Sequence, residues 1–430
     1  MNTEYPCFTV IIPQKDRAEY IESTLRTCMI QDYPNFEVIV SDDCSTDNSV
    51  AVITKLCEQD NRIKLFAHKK HLGMRDNFEF ALSQAKPGYV MALGGDDGLV
   101  PGCISRMYEI IKETQCELLT WTPASFCYEN ANSNGHNIFL VKRKKNLGYK
   151  RLNSIDFLNK ISNTFAYQID ECPMFYIKGV VSTDLIEKVK TRTNDGCFYY
   201  CPTPDGFSGV VLAGEVDSYI YTPEPLSIGG TTTKSQGQNY RRTDKKSREE
   251  SEQFFNDNIR RSMHASLASQ PYSPLVTLMT ADYLLTAKDL PGWPAANAVN
   301  ISFENLIRKT FKLIENSYFE NQVLIRELKI LREIAKYHNL EDLFDELLKK
   351  TKKKVFTKDE VYGFLITNSI RFDGKALNIH NIFDASLAVN FVYNTYNNIN
   401  ITSIFSLIPK QIKILLRSGI RRTERLPRID

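Results

Sequence analysis

The sequence lacks a long apolar run, and no segment approaches the ~18 consecutive apolar residues that a membrane-spanning helix requires. Its first residues, MNTEYPCFTV, lack the basic and then apolar pattern of a secretion signal. A strong excess of one charge is also missing, because the net charge is +3, which by itself does not indicate nucleic-acid binding. We therefore expect a cytoplasmic protein that does not bind nucleic acid.

Clustered metal-binding or disulfide-forming residues are missing as well. The ten cysteines are scattered without a Cys-x-x-Cys pair, and no two histidines have zinc-binding spacing. This pattern favours reduced thiols in a cytosolic protein. No repeat of fixed period is present, so a solenoid is not supported.

Two nucleotide-binding loops are absent after the first apolar segment. No Gly-x-Gly-x-x-Gly follows Ile12, which argues against a dinucleotide-binding dehydrogenase. The residues there are PQKDR (13–17), whereas a nucleotidyltransferase would need a loop rich in glycine and basic residues. Both classes of enzyme are therefore disfavoured.

The first part of the chain does contain a regular alternation of apolar segments and helical patterns. We predict strands at 7–12, 36–40, 63–66 and 89–93, with helices between them. Strands and helices that alternate in this way predict a mostly parallel sheet with helices on both faces.

Two pairs of adjacent acids follow two of these strands. Asp42 and Asp43 end the second strand, and Asp96 and Asp97 follow the fourth within GYVMALGGDDGLV (88–100). Ligands of such sheets bind beyond the carboxyl ends of the strands, so we expect both pairs to face one crevice. Mg²⁺ typically binds one or two protein carboxylates plus phosphate oxygens, which makes a cation bridged to a diphosphate a fitting ligand. The alternative is an ordinary solvated turn, in which Asp and Gly are common.

The second half has a different composition. Residues 236–252 are polar, charged and without periodicity, and we expect them to be mobile. From about residue 252 onward the apolar residues fall at helical spacing, which predicts an accessory helical bundle. The run KKTKKK (349–354) is expected to be a solvated helix end.

The C-terminal segment 401–429 combines apolar residues with seven basic residues and one acid, Glu424. A basic amphipathic segment of this kind can lie on an anionic membrane surface. It can equally pack on the protein with a solvated basic face. In the first case we expect peripheral contact with the inner face of the plasma membrane, and a lipid-linked substrate.

Four segments carry a resemblance to a known family: VIIPQKDRAEYI (10–21), QDYPNFEVIVSDDCSTDNS (31–49), HLGMRDNFEFAL (71–82) and GYVMALGGDDGLVPG (88–102). In order and spacing they resemble family-2 glycosyltransferases with the GT-A nucleotide-sugar fold, of the bacterial polysaccharide type. The resemblance is strong over roughly 1–120, weaker to about 235 and absent beyond. It implies an α/β GT-A domain at 1–238. The residue patterns beyond it predict a mobile charged linker at 239–258 and a helical accessory domain at 259–430 with a basic amphipathic C-terminus.

The resemblance also implies roles for individual residues. Asp43 would bind the base of the nucleotide, with Pro13 beside the nucleoside. Asp97 would bind a divalent metal, Mn²⁺ or Mg²⁺, and Asp96 the ribose or the metal shell. Arg75 would lie near the diphosphate, the alternative being a solvated helix charge.

Further contacts are implied less directly by the resemblance. Asp16 would contact the nucleotide. It lies in a loop, 14–16, where the family usually has an aromatic residue and an Asn after the proline, whereas this chain has Gln-Lys-Asp. Asn77 would brace the site. The segment 231–235, with Arg241 and Arg242 beyond it, loosely matches a flexible segment that closes on the diphosphate.

The family's catalytic base is matched best by Asp205 in CPTPDGFSGVVLA (201–213), with Asp195 and Glu215 in reserve. The alternative for Asp205 is an ordinary Pro-Asp-Gly turn. The reaction implied by the family is an inverting transfer of a sugar from a nucleotide-diphosphate donor, a UDP-sugar, to a hydroxyl of a saccharide or lipid-linked acceptor, in envelope polysaccharide synthesis. A degenerate fold that acts as a scaffold through its helical domain is the alternative, and the oligomeric state stays open.

Overall fold

The computed structural model describes residues 5–131, 137–142, 148–201, 203–235, 249, 262–317, 319–356, 369–398, 420–427 and 429. The predicted linker at 239–258 lies outside these residues apart from Glu249, and so does segment 401–419 of the basic C-terminus. No helix in the described part of the chain is both long enough and apolar enough to cross a membrane.

The strands and helices are numbered in chain order. The strands are β1 (Cys7–Gln14), β2 (Phe36–Asp42), β3 (Ile63–Ala67), β4 (Gly88–Ala92), β5 (Gly98–Leu99), β6 (Leu118–Trp121), β7 (Ala124–Cys127), β8 (Ile138–Lys142), β9 (Lys150–Asn153), β10 (Gly179–Ser182), β11 (Ser218–Thr222), β12 (Ser227–Thr231), β13 (Lys352–Phe356), β14 (Ser369–Asp373) and β15 (Ile420–Arg425). The α-helices are α1 (Ile21–Met29), α2 (Ser49–Gln59), α3 (Met74–Ser83), α4 (Cys103–Thr114), α5 (Ser154–Thr164), α6 (Thr183–Lys190), α7 (Pro204–Ala213), α8 (Val276–Lys288), α9 (Phe303–Glu315), α10 (Asn321–Tyr337), α11 (Glu341–Lys350) and α12 (Ile382–Asn398).

An eight-stranded sheet in the order β3-β2-β1-β4-β10-β6-β11-β9 organises the first half. Its strands are parallel except β10, which runs antiparallel to β4 and β6, and β9, which runs antiparallel to β11. Successive residues of a strand face opposite sides, so Val10 and Ile12 pack in one apolar cluster and Ile11 in the other. The sheet is thus covered on both faces, as the uninterrupted apolar strands predict.

A second sheet, in the order β14-β8-β7-β12-β5, lies beside the first. Its strand β12 pairs antiparallel with the short β5, which directly follows the Asp96–Asp97 turn. The same strand pairs parallel with β7 on its other side. This arrangement places the segment after β12 next to the acidic turn.

Helices α8 to α11 form most of a third apolar cluster in the second half. Helix α8 is shared, because Leu278 and Leu285 belong to that cluster while Tyr283 and Leu284 belong to a cluster of the large sheet. The predicted class, an α/β domain with a mostly parallel sheet followed by a helical region, is confirmed.

The C-terminal part is not helical throughout. The run 349–354, expected to be a helix end, is divided: α11 ends at Lys350, and β13 begins at Lys352 and pairs with β15. Strand β14 pairs with β8 of the second sheet, and α12 contributes Ile382 and Val389 to a core of the first half. Residues 369–398 therefore pack with the N-terminal half, although the predicted boundary puts them in the helical domain.

Candidate active site

The carboxyl ends of β2 and β4 meet at one edge of the large sheet, on either side of β1. Gln14 at the end of β1 lies level with Asp42, and Leu93 just beyond β4 donates its N–H to the carbonyl of Ile11 at 2.9 Å. Since all three strands are parallel, the acidic pairs that follow β2 and β4 open onto the same side.

Gln14 connects the two acidic pairs. Its side-chain amide nitrogen donates to Asp42, and its backbone carbonyl accepts the N–H of Asp43 at 2.9 Å. On the other side, a Cβ added at Gly95 would lie 3.2 Å from the Cβ of Gln14. The other side-chain atom, Oε1, is buried without a hydrogen-bond partner among the described residues. Gln14 thus stands between the base-binding candidates and the metal-binding candidates.

Asp43 is buried and held by the start of α3. Its carboxylate accepts the N–H of Leu72 at 2.6 Å and that of Gly73 at 3.1 Å, and His71 Nδ1 lies 2.8 Å away. Gly73 has φ +88°, a conformation that favours glycine, and this lets the loop turn its N–H groups toward the carboxylate. Contact with a nucleotide base remains a prediction for Asp43.

The loop after β1 is fixed by Asp16, which has φ 53°. Its carboxylate accepts the N–H of Thr46 at 2.7 Å and that of Asp47 at 3.3 Å. Pro13 is buried one pair earlier, level with Ser41. Asn77 braces this end of β2, because its amide oxygen accepts the Ser41 hydroxyl at 2.6 Å and its nitrogen donates to the Ser41 carbonyl at 3.1 Å.

Asp97 is 2% exposed and has three hydrogen-bond donors. Gly94 donates its N–H to Oδ2 at 2.8 Å, Gly230 of β12 donates to Oδ1 at 2.8 Å, and Tyr176 donates its hydroxyl. Burial, followed by the charge of Asp96, raises the pKa of Asp97 to about 7. A nearby cation would relieve both causes.

The two adjacent carboxylates fit a divalent cation by their chemistry. Asp96 is 6% exposed, and its Oδ2 accepts the Thr232 hydroxyl at 2.8 Å. An ionised carboxylate has about four lone-pair positions, so the hydrogen bonds leave acceptor capacity on both acids. No group of three His, Cys, Asp or Glu among the described residues could hold a metal. A cation here would therefore complete its shell with phosphate and water.

Tyr176 is a residue of this site that the sequence reasoning missed, because it lies within an apolar stretch that resembles core. Its hydroxyl lies 2.6 Å from where a Cβ of Gly94 would be, and it hydrogen-bonds Asp97. Burial raises the pKa of Tyr176, and the negative charges of Asp97, Asp96 and Asp205 add to the effect. Tyr176 therefore lies beside the two acids of the metal candidate, since Asp97 and Asp96 also approach the same point at Gly94.

Asp205 occupies the first turn of α7, directly after Pro204. It is half-buried, and burial raises its pKa. A Cβ added at the following Gly206 would collide with the rings of Tyr283 and Tyr167, so this turn packs against aromatic side chains. The role of Asp205 as base remains a prediction.

The remaining charged candidates are engaged in ion pairs in which one partner is buried. Arg75 is 7% exposed, donates to Asp195 and donates Nε to the Tyr199 carbonyl at 2.5 Å. It is therefore not the solvated helix charge considered above, while its contact with a diphosphate stays a prediction. Glu215 pairs with Arg192, and this partner occupies the carboxylate of a reserve base.

The segment after β12 closes one side of the site. Besides the bond from Thr232 to Asp96, Lys234 donates to the carbonyl of Asp16, and Arg17 donates to the Lys234 carbonyl at 3.0 Å. Residues 232–235 thus connect the acidic turn to the loop after β1. Arg241 and Arg242 lie outside the described residues.

A mostly parallel sheet with acidic residues beyond β2 and β4, followed by a helical region, defines a GT-A nucleotide-sugar-binding fold. Residues 9–169 match the model of the family described as glycosyl transferase family 2. This part of the chain is therefore similar to family-2 glycosyltransferases, and the resemblance predicted from the sequence is confirmed.

Curated relatives are similar over the same region. The GalNAc(5)-diNAcBac-PP-undecaprenol beta-1,3-glucosyltransferase of Campylobacter jejuni is 33% identical over 109 residues, 25% of this chain and 35% of that protein. The "Putative teichuronic acid biosynthesis glycosyltransferase TuaG" of Bacillus subtilis is 30% identical over 111 residues, 26% of this chain and 44% of that protein. The chain thus spans less than half the length of these two relatives.

Among solved structures, that of S. aureus TarS overlays with a TM-score of 0.47 at 16% identity, covering 79% of this chain and 50% of that one. A likeness this distant carries no functional weight.

Proposed function

We propose that the protein is an inverting glycosyltransferase that moves a sugar from a nucleotide-diphosphate donor, a UDP-sugar, to a hydroxyl of a saccharide or lipid-linked acceptor. The observation that carries the proposal is the single sheet edge onto which Asp43, Asp96 and Asp97 open.

The donor would lie across the end of β1. Asp43 still has acceptor capacity for an N–H of the base, beside Pro13, with Asp16 holding the loop. Asp96 and Asp97 would bind Mn²⁺ or Mg²⁺ together with the diphosphate. A bound divalent cation stabilises negative charge on the leaving diphosphate.

The base would act on the face of the sugar that is opposite to the leaving diphosphate. Asp205 takes the proton of the acceptor hydroxyl while that oxygen forms its bond to the anomeric carbon, and the bond from this carbon to the diphosphate oxygen breaks. One such displacement inverts the anomeric configuration. A raised pKa suits this role, because a base with a pKa near the working pH accepts a proton more effectively.

The acceptor class is inferred from the names of relatives. The Campylobacter jejuni protein is named for a undecaprenol-linked oligosaccharide, and the Bacillus subtilis protein for teichuronic acid biosynthesis. We infer a substrate of envelope polysaccharide synthesis, with peripheral membrane contact through the basic C-terminus. Replacing Lys410 and Lys413 by Gln should weaken binding to anionic vesicles, and equal sedimentation with both neutral and anionic vesicles would contradict this part.

The test of activity is a panel of nucleotide sugars with and without Mn²⁺ or Mg²⁺, read as released nucleoside diphosphate. We expect one donor to be hydrolysed slowly, and only with metal, by the intact protein. The matched control is Asp342→Asn, an exposed residue of α11, which should hydrolyse it equally. Absence of hydrolysis and of nucleotide binding for every donor would favour the scaffold alternative.

A further inference from the structure

A half-open cavity of about 180 Å³ lies between the large-sheet domain and the helical region, outside the site described above. We name it the junction cavity. Its walls come from the segment after α6, which includes Asn194 and Tyr200, from His264, and from the end of α8 with the following Asp289 and Leu290. Residues far apart in the sequence thus meet around one recess.

The junction cavity has polar lining residues, and the negative charge of Asp289 is not balanced by a cation there. His264 Nδ1 accepts the N–H of Ser266 at 3.0 Å, so the ring proton is on Nε2, which donates to Asp289 at 2.8 Å. The Asp289 side chain is 67% exposed and keeps free acceptor positions. Arg192 is neutralised by Glu215. The cavity therefore offers hydrogen bonds to hydroxyl groups without an unpaired cation for an anion.

Apolar groups also line the junction cavity. Tyr200 is half-buried, and its ring centroid lies 6.3 Å from that of Phe207. Leu290 and Pro291 are further lining residues. A sugar ring has C–H faces that pack on aromatic rings and hydroxyl edges that need hydrogen bonds, and the lining contains groups of both kinds.

The volume of the junction cavity limits the size of the ligand that it can hold. Its volume of about 180 Å³ is below the ~300 Å³ at which pockets for complete small ligands begin. A single sugar unit of a longer chain fits this space better than a whole nucleotide sugar does.

The junction cavity lies close to the predicted base. Asp205 is five positions after Tyr200, a stretch of chain that spans at most about 18 Å. Helix α8 provides a second connection. Its Tyr283 hydrogen-bonds Thr203, and the charge of Asp205 acts on Tyr283. Asp289 directly follows the same helix.

We propose that the junction cavity binds a neutral sugar of the acceptor, at a distance from the hydroxyl that reacts. The assignment to the acceptor rests on the proposed function, whereas binding of a neutral saccharide does not. The site would select acceptors by their internal sugars and discriminate against uronic acids, which Asp289 repels.

The test is saturation-transfer NMR of the full-length protein, without nucleotide, using glucose, N-acetylglucosamine, N-acetylgalactosamine, their disaccharides and glucuronic acid. We expect a neutral saccharide to bind with a dissociation constant of the order of 1 mM. Tyr200→Ala should weaken it about tenfold by removing the aromatic wall, and Asp289→Ala severalfold. Tyr5→Ala is the matched control, since Tyr5 is a partly exposed tyrosine at the opposite, N-terminal end of β1.

Loss of binding in both cavity variants, with Tyr5→Ala unchanged, supports the proposal. It is overturned if no neutral saccharide binds, if glucuronic acid binds better, or if Tyr200→Ala and Asp289→Ala bind as the unchanged protein does. Folding of each variant is checked by its melting temperature. UDP titration of the unchanged protein tests the donor site separately, so a failure of the proposed function is distinguished from a failure of this subsite.

Discussion

At the scale of single residues, the site is dominated by the burial of two adjacent carboxylates, Asp96 and Asp97. Two adjacent buried carboxylates are costly in the charged state, because burial removes water from both and each raises the energy of the other. The N–H groups of Gly94 and Gly230 and the hydroxyl of Tyr176 compensate only part of this cost, since the pKa of Asp97 is still raised to about 7. The folded chain thus favours either a proton or a cation at this turn.

The first prediction concerns Asp97→Asn. In the folded protein the pKa is about 7 against 3.8 in the unfolded chain, so the folded state binds the proton more tightly. The stability that this proton contributes is present at low pH and is lost as the pH rises through about 7. In the presence of a chelator, the melting temperature of the unchanged protein should therefore fall relative to that of Asp97→Asn as the pH rises from about 5 to about 8.

The same variant should abolish metal-dependent nucleotide binding, measured by titration calorimetry with Mn²⁺ and UDP. Unaltered binding in Asp97→Asn would contradict the metal role, while a flat difference between the two melting curves would contradict the raised pKa.

The second prediction concerns Asp205→Asn. We expect donor affinity within about twofold of the unchanged protein and turnover lower by roughly 10²–10⁴-fold, since a lost general base has an effect of this size. The measurements are donor titration and transfer to an acceptor, with Asp342→Asn as the matched control. A collapse of donor affinity would instead place Asp205 in the donor site or in the supporting structure.

The sequence predicts acids at strand ends well, because Asp43 directly follows β2 and Asp97 follows β4 after a short glycine turn, and the strand direction fixes the edge that they reach. It does not predict Tyr176, whose neighbours are typical of a core, or the contact with Asp96 that Thr232 of the predicted closing segment makes across 136 positions. The sequence also does not predict which charged residues pair with each other, and the ion pair of Arg75 with Asp195 is an example.

At the scale of elements, β12 holds the acidic turn in place. It pairs with β5 just after the turn, and Gly230 donates its N–H to Asp97. A Cβ on Gly230 would lie 1.8 Å from the Asp96 carbonyl oxygen, a backbone atom that cannot move aside alone. The strand therefore requires glycine there because of close approach to the turn.

The third prediction compares two neighbouring glycines of β12. Gly230→Ala should destabilise the protein by about 1–3 kcal/mol, as overpacking does, and weaken metal-dependent nucleotide binding. Gly229→Ala is the matched control, because its Cβ would meet the end of the Ile177 side chain at 3.0 Å, which can rotate away. Denaturant unfolding and UDP titration measure both effects. Equal stability and equal UDP binding of the two variants would show that the close contact of Gly230 with the acidic turn is not required.

Elements with local signals are predictable, and those defined by distant partners are not. The apolar strands at 7–12 and 36–40 correspond to β1 and β2, because burial on both faces gives uninterrupted apolar runs. In contrast, β13 is a run of lysines that pairs with a basic strand about 70 residues later. Its strand conformation depends on that pairing and not on propensity.

At the scale of the whole molecule, the chain returns to its first half near the end. Strand β14 covers the edge of β8, and Ile382 at the start of α12 donates its N–H to the Tyr128 hydroxyl at 3.2 Å. The buried apolar residues that the segment adds to a core of the first half are Ile379, Ile382, Ala385, Val389, Val392 and Tyr393. The segment is thus part of the body that holds the acidic turn, since a Cβ at Gly98 would lie 2.9 Å from Ile382.

The fourth prediction compares two shortened chains, one ending at Phe356 and one ending at Asn398. The first loses β14 and α12, and each large apolar residue left without its partner costs about 1.5–3 kcal/mol. Several such losses approach the ~5–15 kcal/mol that stabilise a typical domain. We therefore expect the chain ending at Phe356 to aggregate or to melt without cooperativity, and to lose UDP binding.

The chain ending at Asn398 keeps this segment and loses β15 together with Leu426 and Ile429, which pack only on the helical cluster. It should retain cooperative melting of the first half and UDP binding, measured by calorimetry on both chains. If the chain ending at Phe356 instead binds UDP as the full protein does, the returning segment is dispensable for the site. The domain that holds the acidic turn would then not need residues 357–398, in agreement with the predicted boundary at residue 238.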